Sequence, residues 1–414
     1  MGVLEQGSMT VPYSGLLSTT SPLATPLPRV LRPQRALPSD TIRPTRAEIN
    51  LASLRHNLRY LQKAAAGAEV WAVLKADGYG HGSKAVARTL ERAGAQGLCV
   101  ALLEEGIELR QAGIRCPILV MGGYYGRAWG ELLRHELTPV IWDPGHVEAL
   151  AEEVRYTGSE PIGVHVKVDT GMSRLGVLPK DVPALAAALV GRPEVRVDGL
   201  MTHFACADSG DPAAVAGPLA LFHEAEAELH RAGVRPRLRH AANSAATLAM
   251  PEARFELVRP GIALFGIEPH AGMAPELRAV MRVRSEIISV RDVAAGTPVG
   301  YGATWRAARP SRIATLPIGY ADGFERALSG RGCVLIRGRR APIVGVVSMD
   351  MTMVDVTDVA GAGVGDECVI LGTQKGPHGQ DTISAAELAA LLGTIPWEVV
   401  TNISRRVPRF YREP

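Results

Sequence analysis

Residues 71–82 have the sequence Trp-Ala-Val-Leu-Lys-Ala-Asp-Gly-Tyr-Gly-His-Gly. A short apolar run ends here at Lys75, and three closely spaced glycines follow before a stretch of helical spacing begins at Ser83. This order predicts a buried strand, a turn and a helix. Lys75 would then lie where the strand enters its loop, which makes it the first candidate for a functional side chain.

Lysine is rare in this chain, since six lysines and 39 arginines make up the 45 basic residues. A solvated loop position is the simpler interpretation of Lys75, because lysine is among the least buried residue types. However, a guanidinium stays protonated in proteins, whereas a desolvated amine can act as a base or form a Schiff base. The use of arginine for surface charge therefore favours a chemical role for Lys75.

The chain has 414 residues and a formal net charge of +3, with 42 acidic and 45 basic side chains. This length predicts two domains. The balanced charge gives no reason to expect nucleic acid or a membrane surface as a partner, and no apolar stretch approaches the ~20 residues that span a bilayer. Five cysteines without a Cys-x-x-Cys pair predict neither a disulfide framework nor a metal site, and favour a reduced, cytoplasmic protein.

Residues 1–42 differ in composition from the rest of the chain. Ser, Thr, Pro and Leu dominate residues 10–39, and no acidic residue lies between Glu5 and Asp40. This composition predicts a disordered tail. A targeting role and a start of translation at Met9 both stay open for this segment.

Residues 43–275 alternate apolar runs with stretches of helical spacing. The alternation predicts an α/β fold with a (β/α)8 barrel of the TIM type, and a doubly wound open sheet is the alternative. The eight predicted strands lie near residues 69–75, 97–102, 117–122, 138–142, 163–169, 197–204, 237–242 and 255–259. The helical stretches include Glu104–Gly113, His146–Glu153, Val182–Val190 and Ala214–Ala232.

Residues 276–414 alternate apolar and polar residues between Gly and Pro turns. Helical spacing is scarce there, and Ala385–Leu392 is the clear exception. We therefore predict a C-terminal, mainly antiparallel β domain with a boundary near residue 275. Its predicted strands are Val283–Val293, Arg312–Ile318, Cys333–Arg337, Ile343–Val347, Met351–Val356 and Cys368–Leu371.

Polar residues follow five of the predicted barrel strands. In barrels of this kind, chemistry is carried out at the C-terminal ends of the strands. Taken singly, each residue has a structural interpretation, as a core histidine, an ion-pair partner or a helix cap. Their joint position at one face of the barrel favours a site. The residues concerned are Lys75, Arg174, His203, Asn243 with Ser244, and Arg259.

The last two barrel loops suggest the identity of a ligand. Barrels frequently bind phosphate in the loops after strands seven and eight, where Ser244 and the amides of Gly261 and Ile262 stand. A lysine able to form a Schiff base beside a phosphate site implies pyridoxal 5′-phosphate. Dinucleotide, G-x-S-x-G and H-E-x-x-H motifs do not occur, so the corresponding enzyme classes lack support.

An ordered set of motifs is similar to those of the alanine racemase family. The stretch Ala72–Gly82 is similar to that family's cofactor-lysine motif, and the resemblance covers about residues 43–412. Further matches are Val168–Gly176, Thr202–Ala205, Asn243-Ser244, Val258–Gly266, Gly300–Gly302, Gly319–Gly323, Ser348–Met351 and Arg406–Arg409.

The resemblance implies interconversion of L- and D-alanine by a two-base mechanism in a homodimer with shared active sites. Lys75 would hold the cofactor as an aldimine and exchange the proton on the D face, and Tyr301 of the partner subunit would serve the L face. His203 would support Tyr301 and the ring, while Arg259 would bind the pyridine nitrogen. Since an arginine keeps its proton, that nitrogen would stay unprotonated.

The resemblance also implies the remaining ligand contacts. Arg174 would contact the cofactor's phenolic oxygen and the substrate carboxylate, Met349 would help to bind that carboxylate, and Tyr320 would narrow the entrance together with Tyr301. Lys167 matches a lysine that is carbamylated in some members. The residues around the phosphate would be Tyr79, Asn243, Ser244, Gly261 and Ile262.

Two positions depart from the family pattern. Arg405 stands where some members carry a tyrosine that contacts the phosphate, and Ser348 replaces a cysteine. An arginine could pair with the phosphate instead, so a serine or broad-specificity racemase is the alternative function. A barrel-type decarboxylase and a non-enzymatic cofactor-carrier barrel are the other hypotheses.

Overall fold

The structure is a computed structural model that describes residues 42–122, 128–209, 211 and 213–413. The predicted disordered tail lies, apart from Ile42, outside these residues. Two regions of regular structure follow one another along the chain, first parallel strands that alternate with helices and then a mainly antiparallel sheet. This order confirms the predicted fold class.

Eight parallel strands form a nearly closed barrel in the order β8-β7-β6-β5-β4-β3-β2-β9. The two end strands approach each other, and the amide of Arg259 donates to the carbonyl of Ala242 at 2.9 Å. All eight predicted strands are present. Their bounds are β2 Glu69–Val73, β3 Gly97–Val100, β4 Ile118–Val120, β5 Thr138–Ile141, β6 Ile162–Lys167, β7 Val195–Met201, β8 Leu238–His240 and β9 Leu257–Val258.

Helices cover the outside of the barrel, as expected for parallel strands that are buried on both faces. Strand β4 shows this burial, since Ile118, Leu119 and Val120 are fully enclosed. The helices of this part of the chain are α1 Leu51–Ala65, the single turn α2 Lys75–Tyr79, α3 Ser83–Arg92, α4 Leu103–Gln111, α5 Trp129–Arg134, α6 Pro144–Thr157, α7 Val182–Val190, α8 Ala213–Arg231 and α9 Ser244–Ala249.

The second region contains a ten-stranded sheet in the order β11-β14-β17-β16-β15-β18-β10-β1-β20, with β19 paired to β18. Strands β12 and β13 form a separate two-stranded ribbon. The bounds are β10 Met281–Glu286, β11 Ser289–Val293, β12 Pro298–Val299, β13 Trp305–Arg306, β14 Ser311–Leu316, β15 Cys333–Ile336, β16 Arg339–Val344, β17 Thr352–Asp355, β18 Glu367–Gly376, β19 Gly379–Ile383 and β20 Arg409–Arg412.

Three features of this region differ from the sequence prediction. Strand β1, Arg46–Asn50, falls within the range assigned to the barrel, yet it pairs antiparallel with β10 and parallel with β20. The predicted run Val283–Val293 is broken into two strands. Besides the predicted helix α10, Ala385–Leu392, there is a second helix, α11 Pro396–Asn402, whose β-branched residues gave no helical signal.

Strand β1 is fixed in the sheet by its charged side chains as well as by its backbone. Glu48 is buried and forms ion pairs with Arg282 at 3.1 Å and Arg284 at 3.2 Å. The same two arginines also pair with Glu367 on β18. Glu48 and Glu367, which are 319 positions apart in the sequence (367 − 48), are thus joined in one ionic cluster. Within the described residues, no helix is long and apolar enough to cross a membrane.

This cluster makes stability depend on pH. Burial alone raises the pKa of Glu367, but hydrogen bonds and charges from Arg282 and Arg284 outweigh it and lower the pKa from 4.5 to about 2. A carboxylate with a depressed pKa stabilises the fold above its unfolded-state pKa and loses that contribution as the pH falls. We therefore expect the melting temperature to fall less between about pH 5 and about pH 3 in Glu367→Gln than in the native protein.

Calorimetry across this pH range measures the difference. Glu286→Gln is the matched control. Glu286 lies 3.7 Å from Arg284, farther than Glu367 lies from either of its arginines, so this variant should keep the pH dependence of the native protein. Identical pH profiles for Glu367→Gln and the native chain would show that the cluster does not stabilise the sheet.

Candidate active site

The residues singled out in the barrel lie at the C-terminal ends of its strands. Lys75 follows β2, Lys167 ends β6 and His203 follows β7, while Asn243 and Ser244 follow β8. Arg259 comes directly after β9, and Arg174 lies in the loop after β6. The closed order of the strands brings these loops together around one mouth of the barrel.

The backbone after Lys75 is wound left-handed over four consecutive residues. Ala76, Asp77, Gly78 and Tyr79 have φ angles of 54°, 55°, 62° and 51°. Left-handed helical geometry costs about 1–2 kcal/mol per residue for side chains with a Cβ, and only glycine adopts it readily. Strain of this kind persists only where the surroundings enforce it, and it is concentrated at functional sites.

The β domain of the same chain helps to hold this turn. Arg409 donates to the carbonyl of Gly80 at 2.9 Å, and a Cβ at Gly80 would collide with the carbonyl of Val400 on α11. On the barrel side, the Asp77 carboxylate accepts from the amide of Ser83 at 2.8 Å and so caps α3. The turn that carries Lys75 and Tyr79 is therefore enclosed by both regions of the chain.

Cationic side chains converge on the barrel mouth. Burial, and then the charge of Arg174, lower the pKa of Lys75, and Glu105 offsets part of this change. Burial, followed by Arg174 and Arg259, lowers the pKa of Lys167 to about 8. Both amines are therefore more readily uncharged near neutral pH than an ordinary lysine, which makes them better nucleophiles and bases.

Arg259 is buried beneath this mouth and held by neutral acceptors. Its guanidinium donates to the carbonyl of Thr202 at 2.7 Å and to Nδ1 of His240 at 2.6 Å. It also lies 3.3 Å from the carbonyl of Ala241, and none of its hydrogen-bond partners among the described residues is a carboxylate. Burial lowers the pKa of Arg259 to about 10, so the group still carries its charge at pH 7. Within the part of the chain that the structure describes, Arg259 is thus a buried positive charge whose hydrogen-bond partners are all neutral.

Histidines extend this arrangement into the barrel. Because a guanidinium can only donate, Nδ1 of His240 accepts, and its Nε2 then donates to Nδ1 of His165 at 2.7 Å. Burial keeps both rings neutral by lowering their pKa values, to about 3 for His165. Nδ1 of His203 lies 3.5 Å from Arg259, and burial, followed by the charge of Arg259, lowers the His203 pKa to about 3.

Hydroxyl and amide groups converge beside the turn. Oγ of Ser244 accepts from the amide of Gly261 at 2.8 Å and from that of Ala263 at 3.4 Å. The hydroxyl of Tyr79 lies where a Cβ at Gly261 would stand. Asn243 caps α9 by accepting from the amide of Ala246 at 3.0 Å. Ile262 begins the short 3₁₀ helix Ile262–Phe265 next to this group.

The three candidates from the β domain are exposed on the single chain. Tyr301 is 72 % exposed, Met349 52 % and Tyr320 41 %. Backbone hydrogen bonds join the loops of Tyr320 and Met349. The amide of Tyr320 donates to the carbonyl of Ser348 at 3.0 Å, and the amide of Ala321 donates to the carbonyl of Met349 at 3.1 Å. No hydrogen bond among the described residues connects the side chains of these three candidates to Lys75 or Arg259.

Two residues that were not predicted from the sequence contact a candidate or the backbone next to one. His240 ends β8 and receives the Arg259 hydrogen bond, and its place at the end of an apolar strand, three residues before Asn243, was the available signal. Glu105, in the first turn of α4, accepts from the amide of Ala76 at 2.6 Å. No local pattern in the sequence indicates that contact, because 29 residues separate the partners.

The fold and this mouth define a two-domain barrel enzyme with a lysine of lowered pKa next to a group of hydroxyls and amides. Residues 49–269 match the family model described as alanine racemase, N-terminal domain, and residues 280–411 match alanine racemase, C-terminal domain. The chain belongs to the alanine racemase family.

Individual relatives agree with this assignment. The chain is 60 % identical over 379 residues to an alanine racemase of Sorangium cellulosum, and the matched stretch covers 90 % of this chain and 100 % of the relative. The solved alanine racemase of Streptomyces coelicolor A3(2) is 36 % identical with a TM-score of 0.85, over 91 % of this chain and 100 % of that one. That of Bartonella henselae, with covalently bound pyridoxal phosphate, is 30 % identical with a TM-score of 0.80, over 89 % and 99 %.

The close approach of Tyr79 to Gly261 can be tested by substitution. In Gly261→Ala the new methyl group would overlap the Tyr79 hydroxyl, and overpacking of this kind costs about 1–3 kcal/mol. Chemical denaturation should show this loss. Tyr79→Phe in the same chain removes the overlapping oxygen and should restore part of it. Gly217→Ala in α8 is the control, because nothing lies within 4 Å of its Cβ position and the helix should gain stability. Equal stability of the two alanine variants would refute the close contact.

Proposed function

We propose that the chain interconverts L-alanine and D-alanine with pyridoxal 5′-phosphate bound to Lys75. The observation that carries the proposal is a lysine of lowered pKa, Lys75, directly before a left-handed turn that also carries Tyr79, whose hydroxyl reaches Gly261. The names of the relatives supply the substrate, and the relative from Bartonella henselae supplies the cofactor and its covalent attachment.

The residues present fit this cofactor. Tyr79, Ser244, Gly261 and Ile262 carry hydroxyl and amide groups that could hold a phosphate, and the lack of a side chain at Gly261 leaves room for the Tyr79 hydroxyl. Asn243 orders this part of the site by capping α9. When bound, the cofactor withdraws electrons from the substrate Cα and so acidifies its hydrogen.

Lys75 has two tasks in this proposal. Its Nζ would hold the cofactor covalently, and the same amine would take or return a proton on one face of the substrate Cα. Both tasks require an uncharged amine, and burial together with Arg174 favours that form. The lowered pKa of Lys75 therefore fits a residue that alternates between nucleophile and base.

Arg259 and His203 set the electrostatics of the ring site. Arg259 keeps its proton at pH 7, so it can only donate to a ring nitrogen and leaves that nitrogen without a proton. This limits how strongly negative charge is drawn away from the substrate Cα. His203 stays neutral and can accept a hydrogen bond at its own ring, because its pKa is about 3.

Lys167 and Arg174 would act together on the substrate, since the charge of Arg174 acts on Lys167. The pKa of Lys167, lowered by burial to about 8, leaves part of the amine uncharged near neutral pH and able to add carbon dioxide. We propose that Lys167 is carbamylated, which would turn a cation beside Arg174 into an anion that orients the guanidinium. Arg174 would then bind the cofactor's phenolic oxygen and the substrate carboxylate.

The exposed side chains of the β domain favour a homodimer with shared sites. Tyr301 and Met349 are more than half exposed on the single chain. Aromatic residues and methionine are enriched at protein–protein interfaces, so a partner subunit is expected to cover these side chains. In the proposed dimer, Tyr301 of the partner subunit serves the face of Cα opposite Lys75. The partner's Met349 and the partner's Tyr320 line the entrance. We also propose a cytoplasmic location, since all five cysteines are free.

A direct assay tests the function. With added pyridoxal phosphate, the protein should form D-alanine from L-alanine, and Lys75→Ala should lose at least about a thousandfold in rate, because nucleophile and base are removed together. Borohydride should fix the cofactor to the peptide that contains Lys75. Lys84→Ala is the matched control, since Lys84 lies on the barrel surface and pairs with Glu108 at 3.3 Å.

Parallel assays distinguish the alternatives. Faster turnover of serine, lysine or arginine than of alanine would favour a broad-specificity racemase, and Arg405 would then be the first residue to exchange. Release of carbon dioxide from amino acids would indicate a decarboxylase. Cofactor binding without any turnover would leave the carrier hypothesis, and borohydride labelling of a lysine other than Lys75 would overturn the site.

A mixed dimer tests the shared site. Lys75→Ala and Tyr301→Phe should each be nearly inactive alone, because every site lacks one base. After subunit exchange about half the dimers are mixed, and each mixed dimer has one intact site of two, so about a quarter of native activity should return. Tyr156→Phe, at an 89 % exposed tyrosine of α6, is the control and should be fully active alone. Demonstrated exchange without any recovery would place both bases in one chain.

A further inference from the structure

Glu105 joins two neighbouring loops at the barrel mouth. It lies in the first turn of α4, which follows β3, whereas Lys75 follows β2. Its Oε2 accepts from the amides of Ala101 at 2.8 Å and Leu102 at 3.1 Å. Its Oε1 accepts from the amide of Ala76 at 2.6 Å. One half-buried carboxylate therefore bonds to the backbone of both loops.

The contact with Ala76 falls at the first left-handed residue of the strained turn. Ala76 has φ 54° and ψ 51°, a conformation that a residue with a Cβ rarely adopts without outside support. A hydrogen bond to a charged acceptor is about twice as strong as one between neutral groups. Since Ala76 is the next residue after Lys75, the bond fixes the backbone from which the lysine side chain extends.

The same carboxylate acts on the charge of the lysine. The charged and titratable groups that interact with the Lys75 amine are Arg174, the amine of Lys167 in its unmodified form, the ring of His203, and Glu105. Burial and Arg174 favour the uncharged amine, and Glu105 opposes them. Glu105 thus prevents the surrounding cations from depressing the pKa of Lys75 further.

We propose that Glu105 is a positioning residue for Lys75, acting through the backbone of the left-handed turn and through its negative charge beside the amine. The inference rests on the proposed function for what Lys75 does, but its geometry is independent of the substrate. The contacts of Glu105 would keep the strained turn in one conformation while the bond between Lys75 and the cofactor breaks and forms again during turnover.

Two substitutions separate the two actions. Glu105→Gln removes the charge and puts an amide N–H2 opposite backbone donors, so at least one loop loses its acceptor. Glu105→Asp keeps the charge but is one methylene shorter, so it cannot reach both loops. Glu104→Gln is the matched control, because it removes the same charge from an exposed side chain one residue earlier on α4.

The readout is the rate at which the full-length chain, freed of cofactor, takes up pyridoxal phosphate, followed by absorbance across a pH series. Uptake needs the uncharged amine of Lys75, so the pH of half-maximal rate reports its protonation. The pH profile of kcat/KM for alanine provides a second measure in the loaded enzyme.

We expect Glu105→Gln to shift the pH of half-maximal uptake to lower values. The negative charge of Glu105 stabilises the ammonium form of Lys75, so its removal lowers the pKa of the lysine. Glu105→Asp should keep the native midpoint but lower the plateau rate by roughly tenfold, since a charge-assisted backbone bond is lost. Glu104→Gln should match the native chain in both measurements. If Glu105→Gln fails to fold, the plateau of Glu105→Asp still tests the backbone contact.

A native midpoint in folded Glu105→Gln would overturn the charge role, and a native plateau in Glu105→Asp would overturn the backbone role. Lower melting temperatures with unchanged midpoints and plateaus would mean a purely structural residue. Failure of the proposed function is separate: the native chain itself would then form no D-alanine or carry no borohydride label at Lys75.

Discussion

The left-handed turn after β2 is the constraint on which the site depends. It places Lys75 and Tyr79 on the same short segment, so that one faces the cationic mouth and the other reaches Gly261. A turn of this hand is unstable alone, because three of its four residues carry a Cβ. It is supported by Glu105 from the barrel and by Arg409 from the β domain. The second region of the chain therefore contributes to the first region's site even within one subunit.

Electrostatics gives the same mouth its chemical character. Arg259, Lys167, Arg174 and Lys75 raise the local positive potential, and burial prevents water from screening it fully. Such a site favours anionic ligands, such as a phosphate and a carboxylate, and it keeps its lysines and His203 more readily neutral than in water. Arg259, in contrast, keeps its proton at neutral pH, because its pKa is about 10. The division of roles between fixed charge and titrating amine follows from the chemistry of the two side chains.

Much of the fold could be predicted from periodicity, because strands such as β4 are apolar runs and helices such as α6 have an apolar face. Helix Val182–Val190 was predicted with its observed bounds, and all eight barrel strands were found within a few residues. Strand β1 could not be assigned in this way. Its pairing with β10 and β20 joins residues more than 200 positions apart, and local pattern carries no information about such partners.

The sequence by itself determined the class of fold, the position of Lys75 at a strand end and the candidate side chains at the other strand ends, since these follow from residue type and spacing. The remaining candidates, such as Tyr301 and Met349, follow from the resemblance of their motifs to those of the family. Only the tertiary structure decided what surrounds them. The hand of the turn, the Arg259–His240–His165 chain and the Glu105 contact each depend on distances between segments far apart in sequence. Burial, which lowers the pKa values of Lys75 and Lys167, likewise exists only once the barrel has closed, because desolvation requires all eight units at once.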